Sequence, residues 1–133
     1  VAFVSCSGLN DFIHNLEALG ESTEDIVHDM LEAGGEAAVS EWKEGIERHG
    51  HVDTGAMRDA VKNTVSDKNS SAEIYPKGKD KKGVSNAEKA FIIHYGKNGD
   101  GDRFVDDIEE KAKPKIHSAM EEIMNEYTER NGS

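Results

Sequence analysis

Seven apolar residues near the C-terminus, Phe104, Ile108, Ala112, Ile116, Met120, Ile123 and Tyr127, recur every three or four positions among charged neighbours. That spacing is one face of an amphipathic α-helix. Pro114 falls inside the run. It has no N–H and its ring clashes with the preceding turn, so the helix should kink there or break and restart with Pro114 in its first turn. A second stretch, Ile26, Val27, Met30, Leu31, Ala37, Ala38, Trp42 and Ile46, predicts a helix from Ser22 or Thr23 as N-cap to about Arg48, with Gly50 beyond its end. Gly34-Gly35 costs that helix about 1 kcal/mol per glycine relative to alanine, which implies a close backbone approach or a bend. Trp42 lies on the apolar stripe and reads as core rather than as a partner anchor. Upstream, Leu9, Phe12, Ile13, Leu16 and Leu19 predict a short amphipathic helix stopped by Gly20.

Between the two long helices the period changes. Thr64 to Asp67 and Ala72 to Pro76 read as strands around a turn at Lys68-Asn69-Ser70-Ser71. Residues 77–86, "KGKDKKGVSN", are charged, glycine-punctuated and without apolar period, which predicts an exposed mobile loop. The run Ala90 to Tyr95 reads as a third strand, followed by a second mobile loop at 97–103. The fold class expected is α+β: one domain, residues 1–133, with a long N-terminal helix and a C-terminal helix packed on a small, mostly antiparallel sheet.

Composition narrows the function. With 27 acidic and 16 basic residues the formal net charge is −11, so nucleic acid is repelled on average. Plain solubility accounts for this, as does a conduit wall that must not hold phosphates, or an acidic DNA mimic. Cys6 is the only cysteine, which excludes an internal disulfide and a cysteine-based metal site within one chain. "VAFVSCSG" lacks the basic and long apolar regions of a signal peptide, and no run approaches the roughly 18 apolar residues of a membrane span, which predicts synthesis in a host cytoplasm.

Asp53-Thr54-Gly55 is the triplet with which aspartic proteases present a catalytic carboxylate, so a retroviral-type dimeric protease using Asp53 is one reading. Such a loop needs an apolar strand leading in and a β-rich body, whereas "IERHGH" leads in here from a helix end. The following "AMRDAVKN" puts Ala56, Met57, Ala60 and Val61 on one helical face, so Asp53 or Thr54 is better placed as an N-cap, with Gly55 at the helix start. The six histidines lack zinc-ligand spacing, and no phosphate loop or nucleophile elbow appears.

The segment Asp53-Thr54-Gly55-Ala56-Met57-Arg58-Asp59-Ala60 resembles the DTGxLxxS motif of a family of tailed-bacteriophage neck, head–tail joining and tail-completion proteins, the minor tail components. In that family a short strand precedes Gly-Leu and a helix, and a long helix leads to the motif. Strands, a YAxxVEYGT-like segment, an aromatic residue and a final helix follow. "KAFIIHYGKNG", 89–99, is similar to the second motif, with Tyr95-Gly96 in its key place, and Phe104 is similar to the aromatic. His94 stands where an acidic residue is usual, Lys97 replaces the usual threonine, and no proline precedes Phe104.

The resemblance implies a non-enzymatic virion protein with no cofactor, metal or membrane. It would form a homo-oligomeric ring between the head connector and the tail tube or tail terminator, with DNA passing through without sequence-specific binding. A ring closes through a heterologous interface, so each subunit must offer two different surfaces. Lys77, Lys79, Lys81 and Lys82 in one loop, and the 97–103 loop, are candidates for such contacts, or else ordinary solvated loops.

Overall fold

The computed structural model describes residues 2–5, 14, 17–18, 20–51, 55–68, 71–95, 101 and 103–132. The elements in chain order are β1 (Ala2–Ser5), α1 (Thr23–Arg48), α2 (Ala56–Asp59), β2 (Val61–Ser66), β3 (Ser71–Pro76), α3 (Asn86–Tyr95) and α4 (Phe104–Gly132). The architecture is α+β, two long helices packed with a small antiparallel sheet of order β1-β3-β2. His14, Glu17 and Ala18 are helical, but the apolar positions of the short helix expected at 8–20 lie outside the described residues.

Ser22 starts α1 as expected: its backbone is extended and its Oγ accepts the Asp25 N–H at 3.5 Å, with Glu24 and Asp25 favourably placed at the positive end of the helix dipole. The 26-residue helix ends where Gly50 turns left-handed at φ 74°, and His51 N–H closes back on the Ile46 carbonyl at 2.9 Å.

Helix α4 runs antiparallel along α1. At one end Tyr127 Oη donates to Asp29 at 2.6 Å and Arg130 meets Glu21 at 3.1 Å; at the other, Arg48 Nη2 donates to Asp107 at 2.9 Å. Between them Ile26, Met30, Trp42, Ile46, Phe104, Ile108, Met120 and Tyr127 fill the interface. Gly45 sets the closest approach, since a Cβ there would lie 2.2 Å from Ile108 Cγ1. Pro114 sits inside one continuous helix and on its exposed side, so α4 does not break and restart there.

Strand β3 alternates as a half-covered strand should, with Ala72, Ile74 and Pro76 buried and Ser71, Glu73 and Tyr75 only half-buried. Helix α1 covers β2 and β3. Gly35 explains part of the Gly34-Gly35 pair: the Asn63 amide of β2 sits where a Cβ would be, 2.2 Å away, so the pair reflects close approach. The β2–β3 turn is tied to α1 by His28 Nδ1 and Asp67 at 2.9 Å. That hydrogen bond and the Asp67 charge raise the His28 pKa above its usual value.

Two expectations about local structure fail. Ala90 to Tyr95 belongs to helix α3, not to a third strand; its start is set by Ser85, whose Oγ accepts the Glu88 N–H at 3.3 Å. The third strand is Ala2–Ser5, in the place the family resemblance implies, registered with Val4 opposite Ala72. Helix α2 is a single turn, so Val61 is not on its face but opens β2, opposite Pro76. Strand pairing overrides the helical pattern there.

Candidate functional site

The residues flanking both motifs meet on Phe104. This ring is fully buried, with Trp42 at 6.4 Å and His51 at 5.0 Å edge-on, His94 at 6.2 Å edge-on, and His49 tilted at 6.1 Å between centroids. Trp42 and His49 come from α1 and its cap, His51 from the lead-in to the first motif, and His94 from the second. Phe104 thus nails the start of α4 to the three segments around it, each pair adding to plain area burial.

Gly55 provides the pivot of the first motif. It adopts φ 83°, which L-residues with a side chain rarely adopt, and it caps the turn Ala56–Asp59. Behind it Met57 is buried in the core, and Arg58 Nη1 reaches Glu47 on α1 at 2.9 Å. Asp53 and Thr54 lie outside the described residues, as does Gly96; Tyr95 is the last residue of α3.

His94 is almost wholly buried, and its Nδ1 accepts the Val105 N–H at 3.1 Å. An acceptor role requires a lone pair on Nδ1, so the neutral ring carries its proton on Nε2, 3.7 Å from Asp106. The first N–H groups of a helix have no partner within it, and α4 meets that need with a side chain from another element. A carboxylate, which the family resemblance leads one to expect at this place, would accept the same bond. The histidine preserves the acceptor while adding a ring to pack on Phe104.

Below Phe104 a charged network locks the helix pair. Asp107 takes His49 Nε2 at 2.9 Å and Arg48 from Nε and Nη2, and these bonds hold its carboxyl down to about 2. Glu41, 1 % exposed, accepts Arg48 Nη2 at 3.0 Å and Lys115 Nζ at 2.6 Å. Burial alone would push its pKa up; the two cations more than reverse this and hold it below the ordinary carboxylate value. Hydrogen bonds to two cations are what make a buried carboxylate tolerable.

Residues 77–86, expected to lack regular structure, form a bridged turn. Lys79 pairs with Ser85, Asp80 Oδ1 accepts the N–H groups of Lys82 and Val84 at 2.9 Å each, and Lys89 of α3 pairs with the other carboxylate oxygen. The Lys89 bond and the two N–H donors hold Asp80 down to about 2. Asn86 is buried and donates to the Lys77 carbonyl at 3.0 Å. Of the four lysines predicted as contacts, Lys77 folds over the Tyr75 ring at 5.1 Å, whereas Lys79, Lys81 and Lys82 stand exposed. Of the second loop, 97–103, only Gly101 and Arg103 are described, and Arg103 has φ 58°.

Among the described residues no group of three or more His, Cys, Asp or Glu side chains is arranged to hold a metal ion, and no helix is long and apolar enough to cross a membrane.

Residues 10–97, two thirds of the chain, match the family described as "Bacteriophage HK97-gp10, putative tail-component". The chain belongs to this family. It is therefore a structural component of a tailed bacteriophage. The matched span includes the first motif and the second as far as Lys97, with Tyr95-Gly96, and stops before Phe104, so α4 packs on the family region from beyond its end, through the aromatic cluster and along α1. No curated protein and no solved structure matches the chain.

Proposed function

We propose that this tail component is a ring-forming subunit of the neck or tail-completion region, joining the head connector to the tail tube or tail terminator around the DNA channel, without enzymatic activity. The family match carries the reading, because it covers the first motif and Tyr95-Gly96 of the second, whose neighbours His51 and His94 both pack on Phe104. An acidic chain suits a conduit, since a net charge of −11 repeated around a ring repels phosphates on average rather than holding them.

A dimeric aspartic protease would need a β-rich body. Among the described residues three short strands accompany two helices of 26 and 29 residues, and Gly55 leads into a helical turn. Asp53 is read instead as a structural residue of the motif. The test is the mass of the purified assembly by native mass spectrometry together with localisation of the subunit in the virion by electron microscopy. Closed assemblies of more than two copies placed at the neck or tail are expected. A dimer with peptidase activity that Asp53→Ala abolishes would overturn the reading.

A further inference from the structure

The turn at 79–84 has the build of a preformed contact. Lys79, Lys81 and Lys82 share the turn with Val84, at 44 % exposure the only exposed large hydrophobic among the described residues. No ion pair engages these three lysines among the described residues, although the chain is strongly acidic. The turn's shape is fixed from within, by the two N–H groups on Asp80, the Asp80–Lys89 pair and the Lys79–Ser85 bridge.

The complementary surface lies on α4. Glu122, Glu126 and Glu129 are exposed at i, i+4 and i+7, which places them on one side of the helix. Among the described residues none of them is ion-paired. Half-buried Ala119 and Ile123 border this stripe, so it offers both apolar surface and negative charge.

The two surfaces lie far apart in one chain. The turn is attached at the end of β3, where Lys77 N–H donates to the Ala60 carbonyl at 3.0 Å, one turn from Arg58 and its partner Glu47 at the C-terminal end of α1. The stripe lies at the level of Tyr127 along α4, and Tyr127 is bonded to Asp29 near the start of α1. Asp29 and Glu47 are 18 residues apart on a helix rising 1.5 Å per residue, about 27 Å. A subunit cannot bring its own turn onto its own stripe; a second copy can.

We propose that the 79–84 turn of one subunit docks on the Glu122–Glu129 stripe of the next copy, with Val84 against Ala119 and Ile123 and the lysines against the glutamates. This rests on the ring reading above and supplies its heterologous contact, which charge complementarity steers and orients.

The experiment follows self-association of the full chain by sedimentation and native mass spectrometry at about 50 mM and about 500 mM salt, where the screening length differs roughly threefold. Lys81→Glu/Lys82→Glu and Glu122→Lys/Glu126→Lys are each expected to raise the concentration for half-assembly at least tenfold at low salt and less at high salt. Mixed in equal amounts, the two variants restore association at low salt, because each turn then meets a stripe of opposite charge. Val84→Asp weakens assembly at both salts. All these positions are exposed, and circular dichroism checks that each variant is folded. Either charge variant assembling like wild type, or a mixture that fails to recover, overturns the contact. If Lys81→Glu/Lys82→Glu assembles normally and changes only DNA retention, the turn faces the channel and the proposal is wrong. A wild-type chain that stays monomeric at every concentration instead refutes the ring reading, and the contact with it.

Discussion

Replacing Gly45 with alanine tests the packing of the two long helices. In an isolated helix this change stabilises by about 1 kcal/mol. Here the new Cβ would lie 2.2 Å from Ile108 Cγ1 and 2.7 Å from its Cδ1, against a favourable carbon–carbon separation of about 3.5–4.0 Å. Ile108 is fully buried and branched at Cβ, so its Cγ1 cannot swing aside without leaving its rotamer well. The helices must part instead, against the bonds at Asp107 and Tyr127 that fix their two ends. Overpacking typically costs about 1–3 kcal/mol. An overlap of well over 1 Å at an immobile atom belongs at or above the top of that range, so after the propensity gain a net loss of about 2 kcal/mol is expected.

The assay is urea unfolding of wild type, Gly45→Ala, Ile108→Ala and the double variant. Ile108→Ala alone should cost about 2–5 kcal/mol, and the double variant should cost less than the sum of the singles by at least about 1 kcal/mol, because the cavity accepts the new methyl. Gly35→Ala serves as the contrast. The nearest atoms to its Cβ would be those of the Asn63 side-chain amide, which can turn away with the loss of one long 3.4 Å bond to the Glu32 carbonyl, so stability should change by less than about 1 kcal/mol. A stabilised Gly45→Ala, or singles that add, would refute the claim that Gly45 is a fixed contact.

Two further predictions concern the charged and polar supports of α4 and of the 79–84 turn. Asp107 and Asp80 are both depressed from 3.8 to about 2, so their stabilisation is complete above about pH 4 and is lost as pH falls from there through about 2; urea midpoints across that window should fall less steeply for Asp107→Asn than for wild type, and parallel slopes would count against the network. His94→Leu leaves the Val105 N–H without its acceptor and should cost about 1–3 kcal/mol, whereas His94→Asn places an oxygen near the former Nδ1 and should recover part of it; equal losses for the two would show that ring packing, not the hydrogen bond, is what matters.

Much of this fold is legible in the residues because the long helices bury one face each, and burial of one face forces the period. Thr23–Arg48 matches its expected bounds because Ser22 and Gly50 are local signals whose effect does not depend on distant structure. Helix α3 was hidden by shortness: Ala90 to Ile93 is an apolar run that suits a buried strand as well as a helix. The deciding signal, Ser85 followed three residues later by Glu88, was present and was masked by the charge of the turn before it. Strand β2 starts at Val61 because β3 lies beside it, which no local pattern encodes. Likewise Glu41, Lys115, Arg48 and Asp107 read singly as surface charges on two helices, and only the antiparallel packing makes them a network. His94 stands out in the sequence as an odd residue in a familiar motif, yet its acceptor role needs the position of α4.

The clamp at Asp80 bears on the kinetics of assembly. A segment with three lysines, a glycine and one valine would ordinarily have to give up many conformations at the moment of association. Two backbone N–H groups on one carboxylate, and a lysine from the next helix on its other oxygen, remove most of those conformations in the isolated subunit. Under the proposed contact, each new subunit would dock with a surface already in shape, and the benefit would recur at every contact of the proposed ring. If the proposed contact forms, loosening this one carboxylate would therefore blunt the steepness with which free subunits give way to assemblies, even with Lys81, Lys82 and Val84 unchanged.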